Sequence, residues 1–395
     1  MQHNIQAIAE DLVLVGGGHS HAIVMKMFGM KPLPGVRLTL ITPTSYTPYS
    51  GMLPGHIAGF YSRDQCHINL PKLADFAQAQ LYLDQAVDLD LINHKIICAN
   101  RPAVDFDLLS IDIGSTPATI SVSGAAEYAI AAKPVEKLLE NWYQLLENFA
   151  QNPQQPITIV IVGGGAGGVE LALSMQAHLH RILQQNQQPL QNLAVHIFQR
   201  QPELMPHHHP SVQYQVQQVL ISRGVKLHLG ETVYQIAPYP HKEASFTVKC
   251  ESGFKLECQR VFWVTQASAP QWIKNTGLAT DDQGFILVKD TLQSLTHPEV
   301  FAAGDIATMK NHPRPKAGVF AVRQGKPLFE NLRRMLTGQP LQAYRPQQQY
   351  LSLIGTGDGR AIATKGCLTL PPHQLLWQWK DRIDRRFMRD WGQIN

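Results

Sequence analysis

The chain has 395 residues, 44% of them hydrophobic and 16% charged, and its 34 basic and 30 acidic side chains leave a formal net charge of +4. At about 100–200 residues per domain, that length holds two to four domains with a large core. The balance excludes a disordered chain and a basic field of the kind that dominates nucleic-acid binding.

The opening residues MQHNIQAIAEDLVLV lack a basic stretch and a small-residue cleavage site, so no secretory signal is expected and the chain reads as cytoplasmic. An apolar run then leads into a glycine triplet and a helical pattern, DLVLVGGGHSHA from Asp11, followed by a second apolar run, VRLTLIT, at 36–42. Residues 80–130 read as short strands and turns ending in FDLLSIDIGSTP, and 133–150 as an amphipathic helix. The polar QNPQQP at 151–156 marks a boundary. The first pattern then returns as ITIVIVGGGAGGVELA from Ile157, with LAVHIFQR at 193–200. Strands are expected over 225–265, a short strand in EVFAAGD ending at Asp305, a helix over 317–336, strands near 349–364 and an aromatic, basic tail at 375–391. The stretch 157–175 is the nearest thing to a membrane span, but its glycines and Glu170 read better as strand, turn and helix.

Each repeat has the strand, helix and strand of a βαβ unit. Between a strand and a helix, the first glycine makes a tight turn, the next lets the backbone approach a pyrophosphate, and the helix N-terminus supplies N–H donors. Gly16, Gly17 and Gly18 fit this pattern, as do Gly163, Gly164 and Gly165. The second copy completes G-x-G-x-x-G with Gly168, whereas the first has His21 at that place. The fold class expected is therefore α/β, two nested Rossmann-like three-layer domains with a short C-terminal extension.

The acidic residue that usually binds the adenosine ribose is missing from both units: Thr42 stands there in the first, and Gln199 beside Arg200 in the second. An uncharged residue next to Arg removes repulsion toward a 2′-phosphate, which leaves NADPH open beside NADH. Asp305 follows Gly304 at a strand's carboxyl end, a place for a carboxylate to accept hydrogen bonds from a polyol. As a lone residue, it also reads as a helix cap. The helix starting near Ala317, with Lys316 before it, directs its positive end toward a flavin's N1 and O2.

Together, GGGHSHA, FDLLSIDIGSTP, GGGAGGVELA, VFAAGDIA and RPKAGVFAVRQG resemble the pyridine nucleotide-disulfide oxidoreductase superfamily, most closely its type II NADH dehydrogenase and sulfide:quinone reductase branch. The order and spacing agree from about Asp11 to Gly366. GGGHSHA and YTPYSGMLPGHIAGFY at 46–61 resemble more narrowly the flavoprotein module fused ahead of selenide, water dikinase, in which the stretch like IDRRFM at 383–388 leads toward the kinase. The resemblance implies an FAD domain of residues 1–125 and 285–365, an NAD(P)H domain of 150–275 inserted between its halves, and a tail of 366–395. It also implies that Gly16, Gly17, Gly18, His19, Ser20, Gly114, Gly304 and Asp305 hold FAD, with Lys316 and Ala317 near its pyrimidine edge. Gly163, Gly165, Gly168 and Glu170 would shape the NADH or NADPH site, with Glu170 toward the nicotinamide. Lys316 and Glu170 are the candidate catalytic side chains.

Five scattered cysteines, Cys66, Cys98, Cys250, Cys258 and Cys367, have no CxxC spacing, and none falls in SYTPYSGMLPG, where relatives with a reactive pair carry theirs. Electrons then pass from flavin directly to an acceptor, with a quinone expected. Chemistry on selenium or sulfur compounds and a non-catalytic flavin sensor remain as alternatives. Tyr46, Pro48, Tyr49 and Ser50 read either as an aromatic wall beside the flavin or as a packed loop. Adjacent His207, His208 and His209 do not suit one tetrahedral centre, and His19 and His21 are expected beside phosphate or packed loop atoms, so no metal is expected. In the tail, Leu376, Trp379, Ile383, Phe387 and Trp391 form an apolar stripe flanked by Lys380, Arg382, Arg385, Arg386 and Arg389. That helix suits docking on its own domain, a partner domain or an anionic membrane surface.

Overall fold

The computed structural model describes residues 9–117, 122–206, 208–240, 244–265 and 267–392. The signal-peptide reading of residues 1–8 and the metal reading of His207 lie outside the described residues. In chain order, the elements that build the site begin with β1 (Glu10–Val15), α1 (His19–Met30), β2 (Val36–Thr42), α2 (Leu70–Ala77), β3 (Gln80–Leu83) and β4 (Leu108–Ile111). Then come β5 (Ile130–Ala131), α3 (Val135–Gln151), β6 (Ile157–Val162), α4 (Ala166–Gln185), β7 (Leu193–Gln199), β8 (Lys226–Leu229) and β9 (Arg260–Trp263). The last are β10 (Val300–Ala302), α5 (Gly318–Leu336) and α6 (Gln374–Gly392).

Two five-stranded parallel sheets result, one in the order β10-β4-β1-β2-β3 and the other β5-β9-β6-β7-β8. Their central strands are continuous aliphatic runs because both faces are covered: Leu12–Val15 and Ile159–Ile161 are all buried. In each sheet the chain goes from the central strand to one side, then returns to the other. That reversal opens a crevice at the carboxyl ends of β1 and β4, and of β6 and β9, where dinucleotides bind in such sheets. β10 completes the first sheet after the second has been built, so the second unit lies within the first in sequence. The α3 helix of the connecting segment buries Leu138, Trp142, Leu145 and Phe149, the face set by its helical period.

Strands Ser352–Gly355, Ala361–Lys365 and Leu368–His373 pair antiparallel and deliver the chain to α6. This helix corrects the expected stripe. Trp379 and Ile383 are exposed, whereas Lys380, Asp384 and Met388 are buried, with Trp377, Phe387 and Trp391 packed beside them. The inward face tolerates charge because Lys380 and Asp384, one turn apart, pair at 2.6 Å, and Lys380 also donates to the Gly51 carbonyl.

Candidate active site

The first glycine turn is closed by the end of β4. Gly16 has φ +94°, and a Cβ there would run into the Asp112 carbonyl. Gly17 leaves no room for a side chain beside Leu70, and its carbonyl accepts from the Thr47 hydroxyl. Gly18 starts α1 against the Asp112 carboxyl, whose Oδ2 accepts from the Ser20 N–H at 2.9 Å and the His21 N–H at 3.2 Å. The Ser20 hydroxyl donates to Ala321 O on α5 at 2.7 Å. Burial, together with nearby Asp305, pushes the Asp112 carboxyl up to about 7 despite those two donors. Sequence reasoning quoted this residue within a motif but gave it no role.

His21 fills the place of the third glycine as a packed loop residue: Nδ1 meets Gly16 O at 2.7 Å and Nε2 meets the Ser110 hydroxyl at 2.8 Å. His19, at the first turn of α1, packs edge-on to Tyr49. Desolvation holds its pKa down at about 4, so it is neutral, and its Nε2 is buried without a partner.

The second turn repeats the backbone with fewer occupants. Gly163 has φ +119°, and a Cβ there would strike Val264 O, the counterpart of Asp112 O. A Cβ on Gly168 would strike Gly163 O, which is why this copy needs its third glycine. Around Gly165, the N-cap of α4, nothing lies within 4 Å of a Cβ position. Gln199 substitutes for the ribose acid by accepting the Gly164 N–H at 2.9 Å, and Arg200 beside it is exposed. At the end of β9, Trp263 Nε1 and Thr265 Oγ1 are buried without partners. Orphaned polar atoms beside both turns, and glycines where a side chain would block approach, fit a dinucleotide at each.

Between the turns, Gly304 has φ +71° and faces the Asp112 carboxyl, with its N–H donated to Gln324 Oε1 at 2.7 Å. Asp305 pairs with Lys133 Nζ at 2.7 Å, and Lys133 also donates to the Ser115 hydroxyl at 2.8 Å. Lys133, to which the sequence reading gave no role, lies two residues beyond the end of β5 and so ties the second sheet to the first. Gly114, φ +71°, has open space on its side-chain side. Lys316 lies with Gly304 and Asp305 around a small cavity, but its ammonium is bonded to Ala307 O at 2.6 Å and Thr308 Oγ1 at 2.9 Å. Desolvation pulls it down to about 8. Ala317 is the N-cap of α5 and offers no capping side chain, so that helix end keeps N–H donors for a ligand.

Glu170, on α4, accepts the Gly355 N–H at 2.8 Å, and burial raises its pKa against the opposing pull of Lys380. Tyr49, His19 and Phe387 form one edge of this region, with Tyr49 and Phe387 rings 4.5 Å apart. Burial and a hydrogen bond to Asp384 raise the Tyr49 phenol's pKa. Ser50 faces Gly318, whereas Tyr46 turns to a separate cavity. Thus the loop 46–50 divides between two places.

Cys66, Cys98, Cys250 and Cys258 are buried free thiols, and burial pushes Cys66, Cys250 and Cys258 up to about 12. Among the described residues, no group of three His, Cys, Asp or Glu side chains could hold a metal. His209 instead caps the helix Pro210–Ser222 by accepting the Ser211 N–H.

Residues 10–325 match the family described as pyridine nucleotide-disulphide oxidoreductase. The chain is 26% identical over 283 residues to ferroptosis suppressor protein 1 of Homo sapiens, covering 69% of this chain and 68% of that protein. It is 19% identical over 282 residues to a type II NADH:quinone oxidoreductase of Staphylococcus saprophyticus, covering 68% and 69%. The structure is similar in fold to the sulfide:quinone oxidoreductase of Aquifex aeolicus, with a TM-score of 0.78 at 16% identity, covering 98% of this chain and 92% of that one.

Proposed function

The chain belongs to the pyridine nucleotide-disulphide oxidoreductase family and is an FAD-dependent NAD(P)H dehydrogenase, and from that membership we propose that its electron acceptor is a quinone reached without a thiol relay. FAD, when bound, supplies a two-electron carrier between NAD(P)H and the acceptor. In this reading residues 1–125 and 285–365 form the FAD unit, 150–275 the NAD(P)H unit and 366–395 the tail. Gly16, Gly17, Gly18, His19, Ser20, Gly114, Gly304 and Asp305 hold FAD, and the uncapped end of α5 at Lys316 and Ala317 meets its pyrimidine edge. Gly163, Gly165 and Gly168 admit the NAD(P)H diphosphate, and Glu170, its pKa raised by burial, lies toward the nicotinamide.

The observation that carries this reading is the pair of glycine turns on two parallel sheets, with Lys133, just beyond the edge strand of the second sheet, bonded to Asp305 of the first at 2.7 Å. The buried, high-pKa thiols support direct transfer, because a thiol relay needs a thiolate. Anaerobic NADH and NADPH should each be tried against the flavin absorbance, followed by a soluble quinone. Bleaching and then recovery is expected. A flavin untouched by both nucleotides would remove the dehydrogenase reading, and one reduced but not reoxidised by quinone would remove the acceptor.

The outward face of α6 carries Leu375, Trp379 and Ile383, all exposed, on a helix that also bears the exposed Arg382, Arg385, Arg386 and Arg389. This combination suits the surface of an anionic membrane, where a quinone dissolves, and supports the reading of a peripheral cytoplasmic protein. No helix among the described residues is long and apolar enough to cross a membrane. Sedimentation with vesicles containing phosphatidylglycerol should be lost in Trp379→Ser/Ile383→Ser. Equal sedimentation of that variant would exclude this face.

A further inference from the structure

Asp112, the residue after β4, lies where three parts of the first unit meet. A Cβ on Gly18 at the start of α1, or on Gly304 beyond β10, would strike its carboxyl. The side chain is 2% exposed, and its Oδ2 accepts the N–H groups of Ser20 and His21, the second and third residues of α1. No cation answers its charge. Among the described residues Asp112 has no ion pair, and Lys133, the lysine of this region, is bonded to Asp305 instead.

The groups that face Asp112 leave a carboxylate there unsupported. From α1 come His19 and His21, both neutral because desolvation holds them at about 4, and the Ser20 hydroxyl. From β1 comes only backbone, the Val15 carbonyl. The turn after β10 brings Asp305, a second anion, and α5 brings the uncharged Ala321 and Gln324 behind Gly304. What stabilises negative charge here is the end of α1, with a partial charge of about +0.5. That same helix end is what a dinucleotide diphosphate uses. Asp112 and the diphosphate therefore compete for one half-charge, and two anions at one helix end cannot both stay ionised without cost. A neutral Asp112 has an acceptor at hand: the Ser20 hydroxyl gives its own proton to Ala321 O at 2.7 Å, so its oxygen is left to receive another.

We propose that Asp112 is a positioning residue that couples cofactor loading to a proton: FAD enters the first unit as the Asp112 carboxylate takes up one proton, and the neutral acid then holds the start of α1. The step is purely ionic. One O–H bond forms on the carboxylate, the proton comes from solvent, and no electrons move. The proposal rests on FAD occupying the first unit. Without flavin the carboxyl titrates near 7, so above that pH the flavin-free chain carries the anion and flavin is held less well. Lys316, lowered to about 8, also titrates in this interval, so the difference between parent and variant is what counts.

Holoprotein should be dialysed to equilibrium between pH 6 and pH 8.5 and the released flavin read by fluorescence. In the parent the FAD dissociation constant should rise about thirtyfold or more over that interval, the signature of one proton bound with each flavin. Asp112→Asn keeps an acceptor for the two N–H groups, and Asp112→Ala needs none and fits the space. In both, the rise should shrink to about fivefold or less, which Lys316 alone accounts for. At pH 8 the infrared difference between parent and Asp112→Asn should show the C=O stretch of a neutral carboxyl with flavin bound, and carboxylate bands after flavin is removed. An equal pH dependence in the parent and both variants, or carboxylate bands with flavin bound, would overturn the proposal. A pH dependence of NAD⁺ binding that follows the Asp112 substitutions, while that of flavin does not, would overturn the placement of FAD in the first unit and the proposal with it.

Discussion

The two glycine turns begin alike and are completed differently. Gly16 and Gly163 both take a positive φ beneath the last carbonyl of a neighbouring strand, that of Asp112 in one and Val264 in the other. In the first unit the space above the turn is filled by the chain itself. The His21 ring bridges Gly16 O and Ser110, and the Asp112 carboxylate takes the N–H groups of Ser20 and His21. In the second unit Gly168 lets α4 close directly onto Gly163, and the space at Gly165 is empty. A tightly held cofactor tolerates a turn with built-in partners, whereas a co-substrate that comes and goes needs open donors. The difference is the ground on which we propose FAD for the first unit and NAD(P)H for the second.

The strongest way to break this contrast is Gly168→Ala. Its Cβ has no path except into a backbone carbonyl, so α4 must move away from β6, at a cost of about 3 kcal/mol or more. We expect a protein that retains flavin but no longer binds NAD(P)H, measured by flavin absorbance and nucleotide titration. Normal nucleotide affinity would mean that the third glycine has no role beyond that of His21.

Asp112→Asn tests the first unit. With its folded pKa near 7 and an unfolded value near 4, Asp112 holds a proton in the folded chain that the unfolded chain releases across that interval. Its contribution to stability therefore falls as pH rises from about 4 to 7 and stays lost above it. His19 and His21, lowered to about 4, act oppositely as pH rises from 4 to 6.5, but they do so in both proteins and cancel in the difference. Asn keeps an acceptor for Ser20 and His21 without the charge. At pH 8 the FAD-free variant should be more stable than the parent by about 4 kcal/mol, with the gap vanishing below pH 4. A gap independent of pH would show that Asp112 is already neutral or well solvated.

Gln199→Glu acts on the second unit alone. The carboxylate can still accept the Gly164 N–H, now served by the amide at 2.9 Å, and it adds charge where the ribose acid usually stands. The ratio of kcat/KM for NADH over NADPH should rise about tenfold, a change of about 1.4 kcal/mol. An unchanged ratio would separate Gln199 and Arg200 from nucleotide choice.

These residues also mark how far the sequence could be read. Both βαβ units were legible because their signals are local: an aliphatic run, a triplet and a helical period within about 30 residues. The apolar pattern likewise placed α3 and α5. Partners distant in sequence left no such signal. Ser20 meets Asp112 across 92 positions, Lys133 meets Asp305 across 172, and Lys380 meets Gly51 across 329. The α6 stripe was misread for the same reason. Periodicity identifies a face, but the Gly51 carbonyl and the adjacent Asp384 turned a charged face inward.

Lys133→Met makes the smallest change and asks whether the two units are joined by charge or stand complete in themselves. The Lys133 side chain is 41% exposed and that of Asp305 15%, so solvent screens the pair and its contribution should be about 0.5–1 kcal/mol. Met keeps most of the aliphatic stem, while Asp305 retains the Ser115 hydroxyl at 3.4 Å. Thermal melts should show a small loss at low ionic strength that disappears in 1 M salt, where the screening length is about 3 Å. A loss above 2 kcal/mol that survives salt would contradict the view that each turn is completed within its own unit. Stability of the FAD site would then depend on a lysine that the second sheet supplies.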